Sequence, residues 1–372
     1  MNDFNILVQK FGGSSVSDCS KIKSVASFIK NSLSHNKKIC AVVSAMGKTT
    51  DNLLSLANEL SQNPIKRELD MLLSCGERSS MALLSIALNE IGVNSISLTG
   101  SQSGIITDDC HLGAQILEIR PQRVLEAFAD YEVVIIAGFQ GVSKQKEITT
   151  LRRGGSDTTA VAMAAALKAC ACEIYTDVDG IMSADPNILK SAQTLPTVTF
   201  EQMNSMSLFG AKVLAYDASK LAQKFGITLK IAKTNGNNIG TTIQSCQIAS
   251  TNNVTAITHV RSLVQTELSI DNNFSVPILC AYLKDANIIA YINNDYANML
   301  PSDNFKKGLA LIALHHNSNP LILFKKILKL LKNNTIEKQD AVLMQNEILL
   351  IIKDDDLKNA LNILHDEFIC AE

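Results

Sequence analysis

Nine cysteines are spread through the 372 residues without a single Cys-x-x-Cys pair. Such spacing reads as reduced thiols packed as small apolar residues, and hence as a cytoplasmic chain. Cys170-Ala171-Cys172 has no histidine cluster beside it, so packing is expected there and no metal site. Charge of either sign is not in excess: 34 Lys and Arg stand against 36 Asp and Glu. That balance leaves no broad field for nucleic acid or an anionic membrane. Long apolar runs are missing too; Val133–Phe139 and Ile348–Ile352 are far short of a bilayer span. The first residues, with Asp3 among them, lack the basic region and apolar core of a secretory leader. No Walker A loop is present: Met46-Gly47-Lys48-Thr49 ends like one, but Val42 stands where its first glycine belongs. Protein-kinase motifs are absent as well.

What is present is patterned. A chain that is 46% hydrophobic and 19% charged suits a globular enzyme with a sizeable core, and its length suits two or three domains. Ile6–Phe11 reads as a buried strand, followed by a glycine-rich loop and a helix over about Ser20–Ser32. Ile39–Ser44 reads as a second strand, with a helix from about Asp51. Helical patterning over Ile65–Ile91 predicts two helices broken near Cys75-Gly76. Strands are expected at Ser95–Leu98, Val133–Ala137, Glu173–Thr176 and Thr228–Ile231. Helices are expected from Pro121, near Phe200–Leu208 and over Ala211–Phe225. This alternation predicts an α/β sheet, mostly parallel and covered on both faces. Lys10, Ser44 and Thr176 fall at carboxyl ends of strands, where such sheets bind ligands.

Composition shifts at Cys246–Asn253, rich in Gln, Ser, Thr and Asn, which is expected to be a linker between a domain over 1–245 and a region over 254–372. Beyond it, strands are expected at Val264–Ile270, Ile288–Ile292, Leu309–Leu314 and Glu347–Ile352. Helices are expected at Val276–Ala286, Pro320–Leu331 and Asp355–Phe368. Two βαβ-like units in so short a span predict small α+β ferredoxin-like modules.

The stretch that organises the chain is Ile148–Ala169. A short β-type run over Glu147–Leu151 breaks at Gly154-Gly155, and a helix apolar on nearly every side follows. Ser156 stands where an N-cap belongs. Two glycines at a helix N-terminus, after Arg152 and Arg153, make an anion site.

Arg153-Gly154-Gly155-Ser156-Asp157-Thr158-Thr159-Ala160 resembles the central signature of the aspartokinases. Lys10-Phe11-Gly12-Gly13-Ser14-Ser15-Val16 resembles that family's first signature and Thr176-Asp177-Val178-Asp179-Gly180-Ile181 its third. The resemblance is close over about 5–245 and looser beyond. It implies a three-layer amino-acid-kinase fold, then ACT-type modules that pair subunits into a homodimer. The activity it implies is ATP plus L-aspartate giving ADP plus 4-phospho-L-aspartate, on the way to lysine, threonine and methionine. Two other readings stand beside it: a catalytically weak amino-acid sensor of the same fold, and a kinase for another small carboxylate.

Such chemistry brings two anions together, so positioned cations and backbone N–H groups must do most of the work. By resemblance, Lys10 is the cation on the transferred phosphoryl, and Lys212 is a second nucleotide-side lysine. Asp157 orients the lysines. It is not a general base, because a carboxylate nucleophile of reference pKa about 4 has no proton to remove at neutral pH. Arg153 suits the α-carboxylate of aspartate through two parallel hydrogen bonds, and Glu77 its ammonium. Ser44, Thr50, Gly154, Gly155 and Ser156 complete the amino-acid side, with Phe139 lining the same pocket. Gly12, Gly13, Ser14, Thr176, Asp177, Met182, Asp185, Asn187 and Val213 fall on the nucleotide side. Mg²⁺ is expected on the ATP phosphates, since no carboxylate cage is evident.

There are departures from the family pattern. Arg152 stands where a glycine is usual, which predicts a bulky cation beside the substrate loop. Met182 and Asn187 replace an aromatic and an arginine, and Ala215-Tyr216-Asp217 replaces His-Pro-Arg. After Ile292 the usual strand, helix and strand have no room, so the C-terminal region is abbreviated. The effector-loop glycines are missing from Asn272–Pro277 and His316–Pro320. Weak or absent inhibition by lysine or threonine follows.

Overall fold

The computed structural model describes residues 5–33, 37–234, 240–245, 254–269, 278–284, 287–299 and 305–370. It divides into two compact units: 1–181 with 195–200 and 213–247, and 182–194 with 201–212 and 248–372. The expected linker at 246–253 and the loop Asn272–Pro277 lie outside the described residues.

The chain runs through β1 (Asn5–Phe11), α1 (Cys19–Ser32), β2 (Lys37–Val43), α2 (Thr49–Leu60), α3 (Lys66–Glu90), β3 (Ser95–Leu98), β4 (Ile105–Thr107) and β5 (Ile116–Ile119). Next come α4 (Gln122–Asp130), β6 (Val133–Ala137), β7 (Gln140–Ser143), β8 (Ile148–Thr150), α5 (Gly155–Ala166) and β9 (Ala171–Thr176). Then follow β10 (Thr197–Thr199), α6 (Phe200–Leu208), α7 (Tyr216–Phe225), β11 (Leu229–Lys233) and β12 (Thr241–Gln244).

Three near-continuous apolar runs, β1, β2 and β6, are buried on both faces, as central parallel strands require. They sit inside an eight-stranded sheet of order β10-β12-β11-β9-β1-β2-β6-β3, parallel at every pairing except β11 with β12. One face packs Phe11, Ile39, Ala41, Val43, Val133 and Ile135 against Ile22, Val25 and Ile29 of α1 and Leu84 and Leu88 of α3. The alternate residues Cys40, Val42, Val134 and Ile136 are equally buried on the other face, and α5 lies against β1, β2 and β9. The mixed α/β architecture with a mostly parallel central sheet is therefore as expected.

Some elements differ. The stretch 66–90 is one 25-residue helix, not two. Gly76 does not break it; a Cβ there would stand 2.8 Å from the Cβ of Ala45, so the glycine lets the helix approach the loop after β2. By length and composition α3 could cross a bilayer, which no isolated apolar run suggested. It carries Asp70 and Glu77 on its buried face and packs on the sheet. A second sheet, β5-β4-β7-β8, went unforeseen apart from β8. Ala211–Ala215 is not helical: Gly210 (φ 108) ends α6 where a Cβ would collide with the His259 carbonyl, and α7 begins only at Tyr216. Of the described cysteines, Cys40, Cys172 and Cys280 are buried, but Cys19, Cys75, Cys110 and Cys170 are exposed. Apolar packing accounts for only some of these thiols.

The second unit adds β13 (Val254–Ser269), β14 (Ile278–Lys284), β15 (Asn287–Asn293), β16 (Lys306–His316), α8 (Pro320–Asn333), β17 (Lys338–Leu343), β18 (Glu347–Lys353) and α9 (Leu357–His365). Its strands form one antiparallel sheet, β14-β15-β13-β16-β18-β17. One face packs Ile312, Leu314, Ile348 and Leu350 under α8 and α9, joined by Ala184 and Leu189 from the 182–194 segment. The other buries Leu311, Leu349, Ile351 and Tyr291 with Phe209. The expected helix over Val276–Ala286 is a strand at 278–284, paired with β15. A short apolar run fits either state, and the hairpin partner decides it. Between β15 and β16, Asn294–Met299 forms a short 3₁₀ segment.

Candidate active site

At the carboxyl ends of β1 and β2, both chains turn through glycines packed against each other. A Cβ on Gly13 would stand 2.7 Å from the Ala45 carbonyl, and the Gly47 N–H donates to the Gly13 carbonyl at 3.0 Å. These turns border a cleft of about 510 Å³ whose lining lies wholly within the first unit. The cleft brings together Lys10, Gly13, Ser44, Thr50, Glu77, Phe139, Arg153, Gly154, Gly155, Ser156 and Asp157. These come from five separate stretches of sequence.

Lys10 ends β1 and meets Asp157, in the first turn of α5, in an ion pair of 2.7 Å with both side chains 10% exposed. The ammonium is thus held by one carboxylate at the edge of an open cleft. The cap of α5 differs from expectation. Gly154 (φ 80), not Ser156, is the N-cap, and Ser156 lies inside the helix. Only glycine takes that backbone without strain, and a Cβ there would also meet Ala215 at 2.4 Å. Of the turn's N–H groups, Gly155 donates to the Arg152 carbonyl at 2.8 Å and Asp157 to that of Gly154 at 3.0 Å. Neither is left for an anion, and in this turn Arg153, which is exposed, supplies the positive charge.

Glu77 is 3% exposed. One carboxylate oxygen accepts from the Ala45 N–H at 3.1 Å, and the other has no partner among the described residues. Burial pushes this carboxyl up to about 7, because the charged form loses its hydration. A buried acid with one unpartnered oxygen in a cleft has the capacity to take up a cation. Phe139 lines the same space at φ 66, held by its N–H to Thr159 Oγ1 at 3.2 Å and by its carbonyl accepting from Leu151 at 2.8 Å. For a bulky residue that backbone is strained, and strain of this kind gathers at functional sites.

The nucleotide-side expectations divide. Gly12 is buried, its N–H on the Tyr175 carbonyl at 3.0 Å, while Ser14 is exposed. Thr176 ends β9 and bonds Asp177 at 3.1 Å; neither lines the cleft. Val213, half-buried, belongs to the first unit. Met182, Asp185, Asn187 and Lys212 belong to the second. There Met182 sulfur accepts from Thr194 Oγ1 at 3.3 Å. Asp185 Oδ1 accepts from the backbone and side-chain nitrogens of Asn187, at 2.9 and 3.0 Å. Asp185 and Asn187 thus shape their own turn. Lys212 is exposed on an extended connection, not on a helix face.

Arg152 is exposed immediately before Arg153, beside the substrate loop as expected, and lines an adjoining hollow of about 270 Å³ with Thr158 and Asp217. Sequence reading passed over Asp70, which is fully buried under the cleft, and Leu112 and Thr150, which line it. The signal available was the seven-residue spacing of Asp70 and Glu77, two turns apart on one helix face.

Residues 5–233 match the amino acid kinase family, and an aspartokinase of Corynebacterium efficiens is 33% identical across 98% of this chain and 96% of its own length. The chain belongs to the aspartokinases of that family. An aspartokinase of Mycobacterium tuberculosis is 49% identical over 239 residues, 64% of this chain; the chain spans 57% of that relative's length in the match. Among solved structures, E. coli aspartokinase III in complex with aspartate and ADP aligns with a TM-score of 0.84 over 98% of this chain and 100% of that one. At 20% identity that likeness is one of fold.

Proposed function

We propose that this aspartokinase relative transfers the γ-phosphoryl group of ATP to the side-chain carboxylate of L-aspartate, giving ADP and 4-phospho-L-aspartate. One observation carries the reading: an unpartnered buried carboxylate oxygen on Glu77 and the exposed guanidinium of Arg153 border the same cleft as the Lys10–Asp157 pair. An amino acid has the matching handles. Its ammonium supplies the charge that Glu77 lacks, and its α-carboxylate suits the forked donors of Arg153.

In the transfer, an oxygen of the substrate's side-chain carboxylate bonds to the γ-phosphorus. The bond from phosphorus to the βγ-bridging oxygen breaks, and the electron pair leaves on ADP. No proton has to be removed from the nucleophile. Lys10 steadies charge on the moving phosphoryl group, and Asp157 holds that ammonium in place. Ser44, Thr50, Gly154, Gly155 and Ser156 shape the amino-acid side. By family resemblance Gly12, Gly13, Ser14, Thr176, Asp177, Met182, Asp185, Asn187, Val213 and Lys212 serve the nucleotide.

Mg²⁺ is read as arriving on the nucleotide phosphates. The one group of candidate ligand atoms among the described residues is His365, Asp366 and Cys370, in the second unit. In the cleft Asp157 is paired with Lys10. No step is therefore assigned to a metal held by the protein. The reading places the kinase domain over 1–245 and an ACT-type region over 254–372, in a cytoplasmic homodimer paired through the C-terminal region. Size in solution tests the last point.

ADP release measured with L-aspartate, L-glutamate and N-acetylglutamate in turn decides the function. Turnover with aspartate alone is expected. Turnover with another acceptor replaces the substrate, and none with any of the three leaves a sensing protein.

A further inference from the structure

Beneath the cleft lies a polar cluster that the transfer reaction does not use. Asp70 has no exposed surface, and among the described residues no lysine or arginine is paired with it. Three donors surround its carboxylate instead. His111 Nδ1 stands 2.6 Å from Oδ2, and the Leu112 N–H and Thr150 hydroxyl donate to Oδ1 at 3.2 and 2.5 Å. Those bonds join two places distant in sequence: the tip of the 108–115 loop and the end of β8. The loop is tied at its base, where Asp108 and Gln115 exchange backbone and side-chain bonds of 3.1 Å. Its flank is tied by Ala114 N–H to the Thr150 carbonyl at 3.0 Å. Asp70 ties its tip.

That tip is strained. Leu112 sits at φ 62, where a bulky residue stays only if its surroundings hold it. Leu112 and Thr150 both line the cleft, and Thr150 leads directly into the Leu151–Gly155 turn that carries Arg153. A buried carboxylate with every donor aimed at segments bordering the cleft has a geometry that packing alone does not call for.

We propose that the Asp70–His111 pair positions the amino-acid substrate. It fixes the loop tip and the end of β8, and through them sets the Arg153 turn that receives the α-carboxylate. The inference rests on the proposed function for its substrate, but the clamp itself does not. His111 is a positioning residue, since it meets the cleft only through Asp70 and Leu112.

Two substitutions separate positioning from plain structure. Asn carries a donor about where the imidazole Nδ1 stands, whereas Leu removes it. His111→Leu is expected to raise KM for L-aspartate about tenfold, leaving kcat and KM for ATP within about threefold. His111→Asn is expected to keep all three near wild type. An unchanged KM in His111→Leu, or an equal rise in both variants, overturns the proposal. Amide hydrogen exchange on the ligand-free protein supplies a readout independent of activity. Residues 108–115 and 151–155 should exchange about tenfold faster in His111→Leu and as wild type in His111→Asn, with β1 unchanged in both. Unaltered exchange at those segments in His111→Leu refutes the clamp. If the wild type does not turn over aspartate, the functional reading fails and the exchange result still decides the clamp.

Discussion

The first unit buries acids, and the second buries histidines. Asp70, Glu77 and Asp157 are all buried in the first, as are His315, His316 and His365 in the second. The two sets are treated oppositely. The acids are met by charge or by converging donors: Lys10 for Asp157, three donors for Asp70, and one donor for Glu77. The histidines are lowered by burial and answered by neutral groups: a backbone N–H at His316, and hydroxyls at the other two. His315 reaches Thr258 at 2.9 Å and Ser205 at 3.3 Å; His365 reaches Ser183 at 3.0 Å and Ser191 at 3.3 Å. A neutral imidazole can remain buried without a partner of opposite charge, so it serves packing. A buried carboxylate left half-satisfied has a use only when something positive arrives.

The largest expected effect comes from removing the cation. Lys10→Met should lower kcat by about 10²–10³-fold, the scale of a lost donor to developing charge, with little change in KM for aspartate. Steady-state kinetics check this; a raised KM for aspartate with kcat unchanged would move Lys10 from catalysis to substrate binding. Arg153→Ala comes next. It should raise KM for aspartate by about 10–100-fold with a smaller change in kcat, as expected for a charged hydrogen-bond pair of about 1.5–3 kcal/mol. The reverse split would place Arg153 on the phosphoryl group.

Glu77 gives the comparison a pH signature. Only its ionised form pairs with an ammonium, so kcat/KM for aspartate should rise with pH through about 7 and then level off. Glu77→Gln should abolish that rise. Stability moves the other way. The carboxyl is raised above its ordinary value of 4.5, so the unfolded chain gives up its proton first. The ligand-free fold therefore loses stability as pH climbs from about 4.5 to about 7. Melting curves should show Glu77→Gln gaining on the wild type across that window, and aspartate should narrow the gap. A constant difference at every pH would mean that folding leaves the Glu77 carboxyl at its ordinary value.

These acids also mark how far the sequence could be read. Lys10, Gly13, Arg153 and Asp157 sit in short contiguous motifs at strand and helix ends, where chemistry and local conformation share one stretch. Glu77 was legible only through family resemblance. Asp70 showed only as a residue on the same helix face as Glu77; its role was not legible, because its partners lie 41, 42 and 80 residues away and only the tertiary fold assembles them. The same limit hid the small sheet β5-β4-β7-β8, whose strands are three or four residues long and too short to show a period. Gly76 misled in the opposite direction. Its role is close approach to Ala45, which a linear pattern cannot distinguish from a helix break.

The smallest effect expected is in the second unit, and its sign is what matters. His315 is fully sheltered, and burial holds it down from 6.5 to about 3. In the unfolded chain it takes up a proton below about 6.5; in the folded unit it stays neutral until far lower pH. The stability it contributes is complete above 6.5 and falls as pH drops from 6.5 toward 3, opposite in direction to Glu77. Amide exchange of β16 and α9 should therefore accelerate between pH 7 and 5, after correction for the intrinsic rate. His315→Gln should flatten that trend while leaving the Glu77 profile of the first unit untouched. If β16 and α9 were instead steadier at pH 5 than at pH 7, the buried imidazole would have to be charged. The contrast between a unit that buries charge for a ligand and one that buries neutral groups for packing would then fail.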